Sequence, residues 1–232
     1  MKIIGLILIS FSAFSQITEI VVPKRETKET YDSTQDYLGQ KFKLYVGQEL
    51  YLKGMPESSR QYGFPNFSIE PNGSPLNKKN IYKCCEGDGY NSKYEELHGK
   101  YFTVLDVLNN SSQHINEVYL KLQEKQTNDV IFFKYRIYPD TYTDSHTFPF
   151  VVVGHFLKEK KRSVGKRYTI KKESSEELID IKTGIGVRYI DGEIWRCIDL
   201  TYEPRFYVLS MVLENDEGAQ ILGAFLKLSE IK

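Results

Sequence analysis

Apolar and polar positions alternate along much of this chain, in short runs separated by Gly, Pro, Asn and Asp. A period of two is the signature of a half-buried strand. "KYFTVLDVL", Lys100 to Leu108, reads as one strand. In "EVYLKLQEKQTNDVIFFKYRIY" Val118, Leu120 and Leu122 alternate with polar residues, the turn falls in "KQTND", and "VIFFKYRI" returns, which predicts a hairpin. "FPFVVVGHFL", Phe148 to Leu157, predicts a further apolar strand, and the basic "KEKKRS" behind it a solvated connector. Upstream, "LGQKFKLYVGQELYL" gives two strand-like pieces, opened by Gly39 and Gly47. A long excursion rich in Pro, Gly, Ser and Asn separates them from Lys100. Within it we expect an extended piece around Phe67 to Ile69, a strand-like "IYK" at Ile81 and a helical turn at Lys93 to Leu97.

The pattern recurs in the second half. "GEIWRCIDL", Gly192 to Leu200, follows "GKYFTVLDV", Gly99 to Val107: Trp195 stands for Phe102, Cys197 for Val104, Ile198 for Leu105 and Asp199 for Asp106. "SVGKRYTI" (Ser163 to Ile170) echoes "YVGQELYL" (Tyr45 to Leu52), and Tyr207, Leu209 and Met211 fall where Val118, Leu120 and Leu122 fell. The Asp191-Gly192 pair between "GVRYI" and "EIWRCIDL" predicts a hairpin turn. The order of elements therefore points to an internal duplication with insertions in loops, set against coincidence among strands that share a small alphabet. On the motif strand one face carries Phe102, Val104 and Asp106 and the other Tyr101, Thr103, Leu105 and Val107. Both faces hold apolar residues, which calls for a strand that bends between two half-sheets or is covered by the excursion. Asp106 and Asp199 are expected to close their strands and cap the next turn through the backbone.

These strands, "VGQELYL…GKYFTVLDV…VYLKLQEK…VIFFKY" and their second copy, resemble tandem bacterial SH3-like modules of secreted proteins, over most of residues 37 to 230. The resemblance implies an all-β chain of two small antiparallel barrels in tandem, with a long loop insertion in the first; a single larger β-sandwich is the alternative architecture. No activity is implied.

Composition sets the compartment and narrows the partners. "MKIIGLILISFSAFS" has a basic start, an apolar core and small residues Ala13 and Ser15 before Gln16, the form of a secretory signal; the competing reading is a buried N-terminal strand. The expected layout is a signal peptide at 1–15, a flexible polar leader at 16–36, a first module at 37–147 and a second at 148–232, secreted or periplasmic after cleavage. Across 232 residues, Lys+Arg and Asp+Glu number 31 each, which gives no electrostatic reason to expect nucleic acid or an anionic membrane. No later stretch is apolar enough to be an integral membrane segment. Of the three cysteines, Cys197 stands where Val104 stands and reads as a buried free thiol, with a bridge to Cys84 or Cys85 as the alternative.

Candidate chemistry is thin. The four His lack metal-ligand spacing; "DTYTDSH" gathers Asp140, Asp144 and His146, and "EGDGYN" gathers Glu86, Asp88 and Asn91, but neither has the EF-hand spacing or a zinc-ligand pattern, and each reads as a solvated turn. Cys84-Cys85 lies in a Gly-rich loop without a following helix, so no catalytic residue, metal or cofactor is assigned. Trp195 reads as core packing, against an aromatic platform for a ligand. What remains is binding. Tyr62, Phe64, Phe67, Tyr82, Tyr90 and Tyr94 crowd the excursion, whose counterpart in SH3-like barrels walls the ligand groove, so these six are the expected ligand-binding residues. The competing role for them is cover for the barrel. The sequence thus supports a non-catalytic protein that recognises a peptide, glycan or envelope partner. The alternatives are a hydrolase with an inter-module site at Asp140, Asp144 and His146, and a structural envelope component.

Overall fold

A computed structural model of the chain describes residue 44 and residues 46–71, 77–85, 89–112, 115–137, 148–171, 178–188, 190, 192–203, 208–223 and 226–231. The predicted signal and leader lie outside these residues. The described chain is mostly β-sheet, and two hydrophobic cores organise it.

The first sheet runs β2-β5-β4-β3-β1-β6. Its strands are β1 (Glu49–Leu52), β2 (Phe67–Ser68), β3 (Tyr101–Ser112), β4 (Ile115–Glu124), β5 (Val130–Ile137) and β6 (Phe150–Val152). The second runs β12-β11-β10-β7-β13, from β7 (Arg167–Lys171), β10 (Ile194–Glu203), β11 (Val208–Glu214), β12 (Gln220–Leu222) and β13 (Lys227–Ile231). Without β2 the two orders are the same: last, first, second, third, fourth. β8 (Leu178–Ile179) and β9 (Gly186–Val187) form a separate two-stranded ribbon. Neither large sheet closes on itself: β2 and β6 bound the first and β12 and β13 the second, with no pairing between those edges among the described residues.

Matched positions agree in detail. Phe102 and Trp195 both have no exposed surface, as do Val104 and Cys197. Gly47 (φ +94°) donates its N–H to the Val104 carbonyl at 2.8 Å, and Gly165 (φ +88°) donates to the Cys197 carbonyl at 2.8 Å. That positive φ is open to Gly at little cost, which explains why both lead-in segments carry it. Each motif strand then slips register at one place, between Val104 and Asp106 in β3 and between Cys197 and Asp199 in β10. This bulge accounts for apolar residues on both faces. Beyond it the parity flips, so that Val107 and Leu200, not Asp106 and Asp199, turn toward the cores. The aspartates sit at the bulge and do not end their strands: β3 runs on to Ser112 and β10 to Glu203. Their carboxylates accept the N–H of the next residue, Val107 at 2.8 Å and Leu200 at 2.7 Å.

The structure corrects four further expectations. Phe148 to Leu157 is not one strand: after β6 the chain enters α3 (Val153–Ser163), which absorbs the basic run. Val153, Phe156 and Leu157 have helical spacing and turn inward, and three successive basic residues, Lys160 to Arg162, favour the negative C-terminal end of the helix. β6 hydrogen-bonds β1, so the segment from Phe148 to Val152 completes the first sheet and does not open the second unit. Asp191 of the expected hairpin turn lies outside the described residues; among those described, β9 pairs with β8 and β10 is flanked by β7 and β11, so β9 and β10 do not pair with each other. The hairpin match is also two residues off: Leu120 faces Val107 and Met211 faces Leu200, so Met211 corresponds to Leu120.

Candidate functional site

The excursion between β1 and β3 folds back on itself through isolated bridges. Phe64 and Cys84 both pair with Ser92, and Ser68 pairs with Ile81. One short helix, α1 (Glu57–Arg60), opens it and another, α2 (Tyr94–Leu97), closes it. The extended piece at Phe67 and the turn at Tyr94 fall where the sequence placed them.

Its aromatic residues divide into two groups. Phe64, Phe67, Tyr82 and Tyr94 are buried in the first core. Phe67 lies 4.9 Å from Phe133 and 5.8 Å from Phe150, ring centre to ring centre. Phe64 stacks on Tyr94 at 5.5 Å; the Arg60 guanidinium lies 5.3 Å from the Tyr94 ring centre, and the His98 imidazole stacks on Tyr94 at 4.5 Å. The Tyr82 hydroxyl donates to Asp129 at 2.7 Å and so ties the excursion to the β4–β5 turn. Burial and that bond raise the Tyr82 hydroxyl above its ordinary range, while the bonds from Tyr82 and Thr127 hold Asp129 below its own. Rings packed in this way cover the core and present no open face.

Tyr62 and Tyr90 are the other group, 64% and 46% exposed. Asn91 donates its amide to the Tyr62 carbonyl at 2.8 Å, and the Lys78 ammonium sits 5.4 Å from the Tyr90 ring centre. Two wide apolar faces with polar tips therefore stand on a segment anchored by its own buried aromatics, beside the Lys78 ammonium and the Asn91 amide. Such a surface can stack on a sugar ring or a peptide side chain and hydrogen-bond its edges. The six expected residues thus reduce to two that reach solvent. Lys78 and Arg60 have no signal in the sequence, because an aperiodic loop gives no spacing from which to place them beside a ring; Asn91, grouped by sequence with Glu86 and Asp88 as a candidate metal loop, instead holds the Tyr62 carbonyl.

The remaining candidates have other roles. Trp195 is enclosed in the second core with its indole N–H unpaired among the described residues. Cys84 and Cys85 are joined to each other, and Cys197 is a buried free thiol whose pKa burial pushes up to about 11. A nucleophilic thiol needs the opposite shift. Asp199 pairs with Lys160 of α3 at 2.7 Å. Asp140, Asp144, His146, His114, Glu86 and Asp88 lie outside the described residues. Among the described residues no three His, Cys, Asp or Glu gather into a metal site, and no helix is long and apolar enough to cross a membrane. No family model, curated protein or solved structure matches this chain.

Proposed function

We propose that the chain is an exported, non-catalytic binding protein of two SH3-like modules, descended from one duplicated unit. The contact with a peptide, glycan or envelope partner is made through the excursion of the first module. The shared strand order, with the long excursion between first and second strands, supports the modular reading. The matched bulges and the matched Gly47 and Gly165 bonds support the duplication.

The observation that carries the functional reading is the exposure of Tyr62 and Tyr90 beside four neighbouring rings that are buried. Exposed aromatics on a braced segment lose little side-chain freedom on binding, which is why they recur in recognition surfaces. The test uses the chain from Gln16 onward as bait against cell-envelope extracts. Tyr62→Ala with Tyr90→Ala should remove the captured partner and leave the unfolding free energy within about 0.5 kcal/mol of wild type, because neither ring belongs to a core. Capture undiminished by the double substitution would refute the assignment.

A further inference from the structure

The outer face of the second sheet carries a shallow concavity of about 460 Å³ lined by Arg167, Ile194, Arg196, Glu214, Asn215, Asp216 and Gly218. That volume lies within the range of small-molecule sites. Arg167 and Arg196 are direct cross-strand partners between β7 and β10. Like charges placed directly opposite on a sheet destabilise it, so the pair asks for an explanation.

Arg196 is neutralised. Its guanidinium reaches Glu214 at 3.2 Å, and the same carboxylate accepts from the Gln220 amide at 2.7 Å and lies 3.8 Å from Lys182. The Arg167 side chain makes no ion pair or hydrogen bond among the described residues and is exposed. Ile194, 45% exposed, supplies an apolar patch beside it. The scaffold itself does not require this arrangement, since the matched positions in the first sheet are Glu49 and Thr103, and Glu49 is paired with Lys125 at 2.8 Å. One copy of the fold builds the same face with no arginine.

We propose that this concavity is a second ligand site, separate from the tyrosine surface, for a small carboxylate joined to an apolar group, as at the C-terminus of a short peptide. The Arg167 guanidinium takes the carboxylate through two parallel N–H donors, and Ile194 takes the apolar group. Asp216 on the rim adds a negative charge that disfavours polyanions and phosphate.

The experiment titrates N-acetylleucine, N-acetylleucinamide and inorganic phosphate into the chain from Gln16 onward, read by calorimetry or amide chemical shifts. The acid should bind and the amide should not. Arg167→Gln should weaken the acid at least about tenfold, the loss of one charge-assisted pair, with an unfolding midpoint equal to or above wild type because the like-charge pair is gone. Ile194→Asp should weaken it as well, and the Tyr62, Tyr90 double variant should bind it unchanged. Equal binding of acid and amide, wild-type affinity in Arg167→Gln, or phosphate bound in preference to the acid would each overturn the assignment.

Discussion

Among single residues, Lys53 is the most out of place. It directly follows β1, it is 6% exposed, and its ammonium lies 5.0 Å from the ring centre of Tyr202 in the second core. Burial pulls its pKa down to about 7. In the unfolded chain a lysine keeps its proton to about pH 10.4. Between those values the unfolded chain binds more protons than the folded one, so stability is lowest below about pH 7 and rises with pH through the window. Cys197 opposes this at higher pH. Its thiol is held up to about 11 in the fold, so the unfolded chain loses that proton first, from about pH 8.5 upward. Urea unfolding between about pH 7 and 8.5 should therefore show stability increasing by up to about 1.4 kcal/mol per pH unit. Lys53→Met should flatten the slope and stabilise the neutral-pH protein. A slope that persists in Lys53→Met would place its origin elsewhere.

At the scale of elements, the two hairpin turns show one problem solved with different chemistry. Glu124 and Asn215 occupy matched ends of the third strand, and both are buried. Burial would raise the Glu124 pKa, but its carboxylate accepts the Gln126 N–H at 3.0 Å and the Thr127 N–H at 2.8 Å, and these bonds with Lys100 hold it below its ordinary value. Asn215 accepts the Ala219 N–H at 2.9 Å and donates to Glu193 at 2.9 Å, all without a net charge of its own. Hydrogen bonds to a charged group contribute about 1.5–3 kcal/mol and neutral ones about 1. Glu124→Ala, which removes two bonds to a carboxylate, should thus cost about 4 kcal/mol, and Asn215→Ala, which removes one neutral bond and one to the Glu193 carboxylate, about 3, measured by denaturant unfolding. A smaller loss for Glu124→Ala than for Asn215→Ala would contradict the charge-assisted cap. Sequence pattern served some elements well and others poorly, for physical reasons. Val118 to Leu122 alternates cleanly and is followed by a polar turn and the apolar return at Val130, so their hairpin was legible. Phe148 to Val153 carries no polar residue because strand β6 and the start of helix α3 are both buried there, and a run without polar punctuation does not reveal its own period. The bulges were legible only as a conflict between the two faces of one strand, since the aspartate that marks each one, Asp106 and Asp199, also suits a strand end. The tyrosine excursion was legible as aromatic but not as divided, because burial is decided by bridges such as Phe64 to Ser92 that span distant positions.

Taken as a whole, the molecule has two cores that share a wall. In β1, Leu50 and Leu52 point into the first core while Tyr51 packs on the second; in β6, Phe150 and Val152 point into the first core while Val151 belongs to the second. Tyr51 and Val151 are cross-strand partners, so this pair of strands presents one face to each core. α3 follows directly, and Phe156 on it packs in the second core, its ring centre 6.1 Å from that of Tyr202. A boundary drawn between the sheets therefore cuts through a buried contact, where cooperativity is strongest. The sole tryptophan, Trp195, lies in the second core and reports on it alone. Leu50→Ala removes a fully buried side chain from the first core and should cost about 2–5 kcal/mol. If the shared wall couples the units, the Trp195 fluorescence transition moves by the same amount as the far-ultraviolet circular dichroism transition, and the two remain superimposed. A Trp195 transition left at its wild-type midpoint, with only part of the dichroism signal lost early, would mean that the cores unfold independently and that the wall transmits no stability between them.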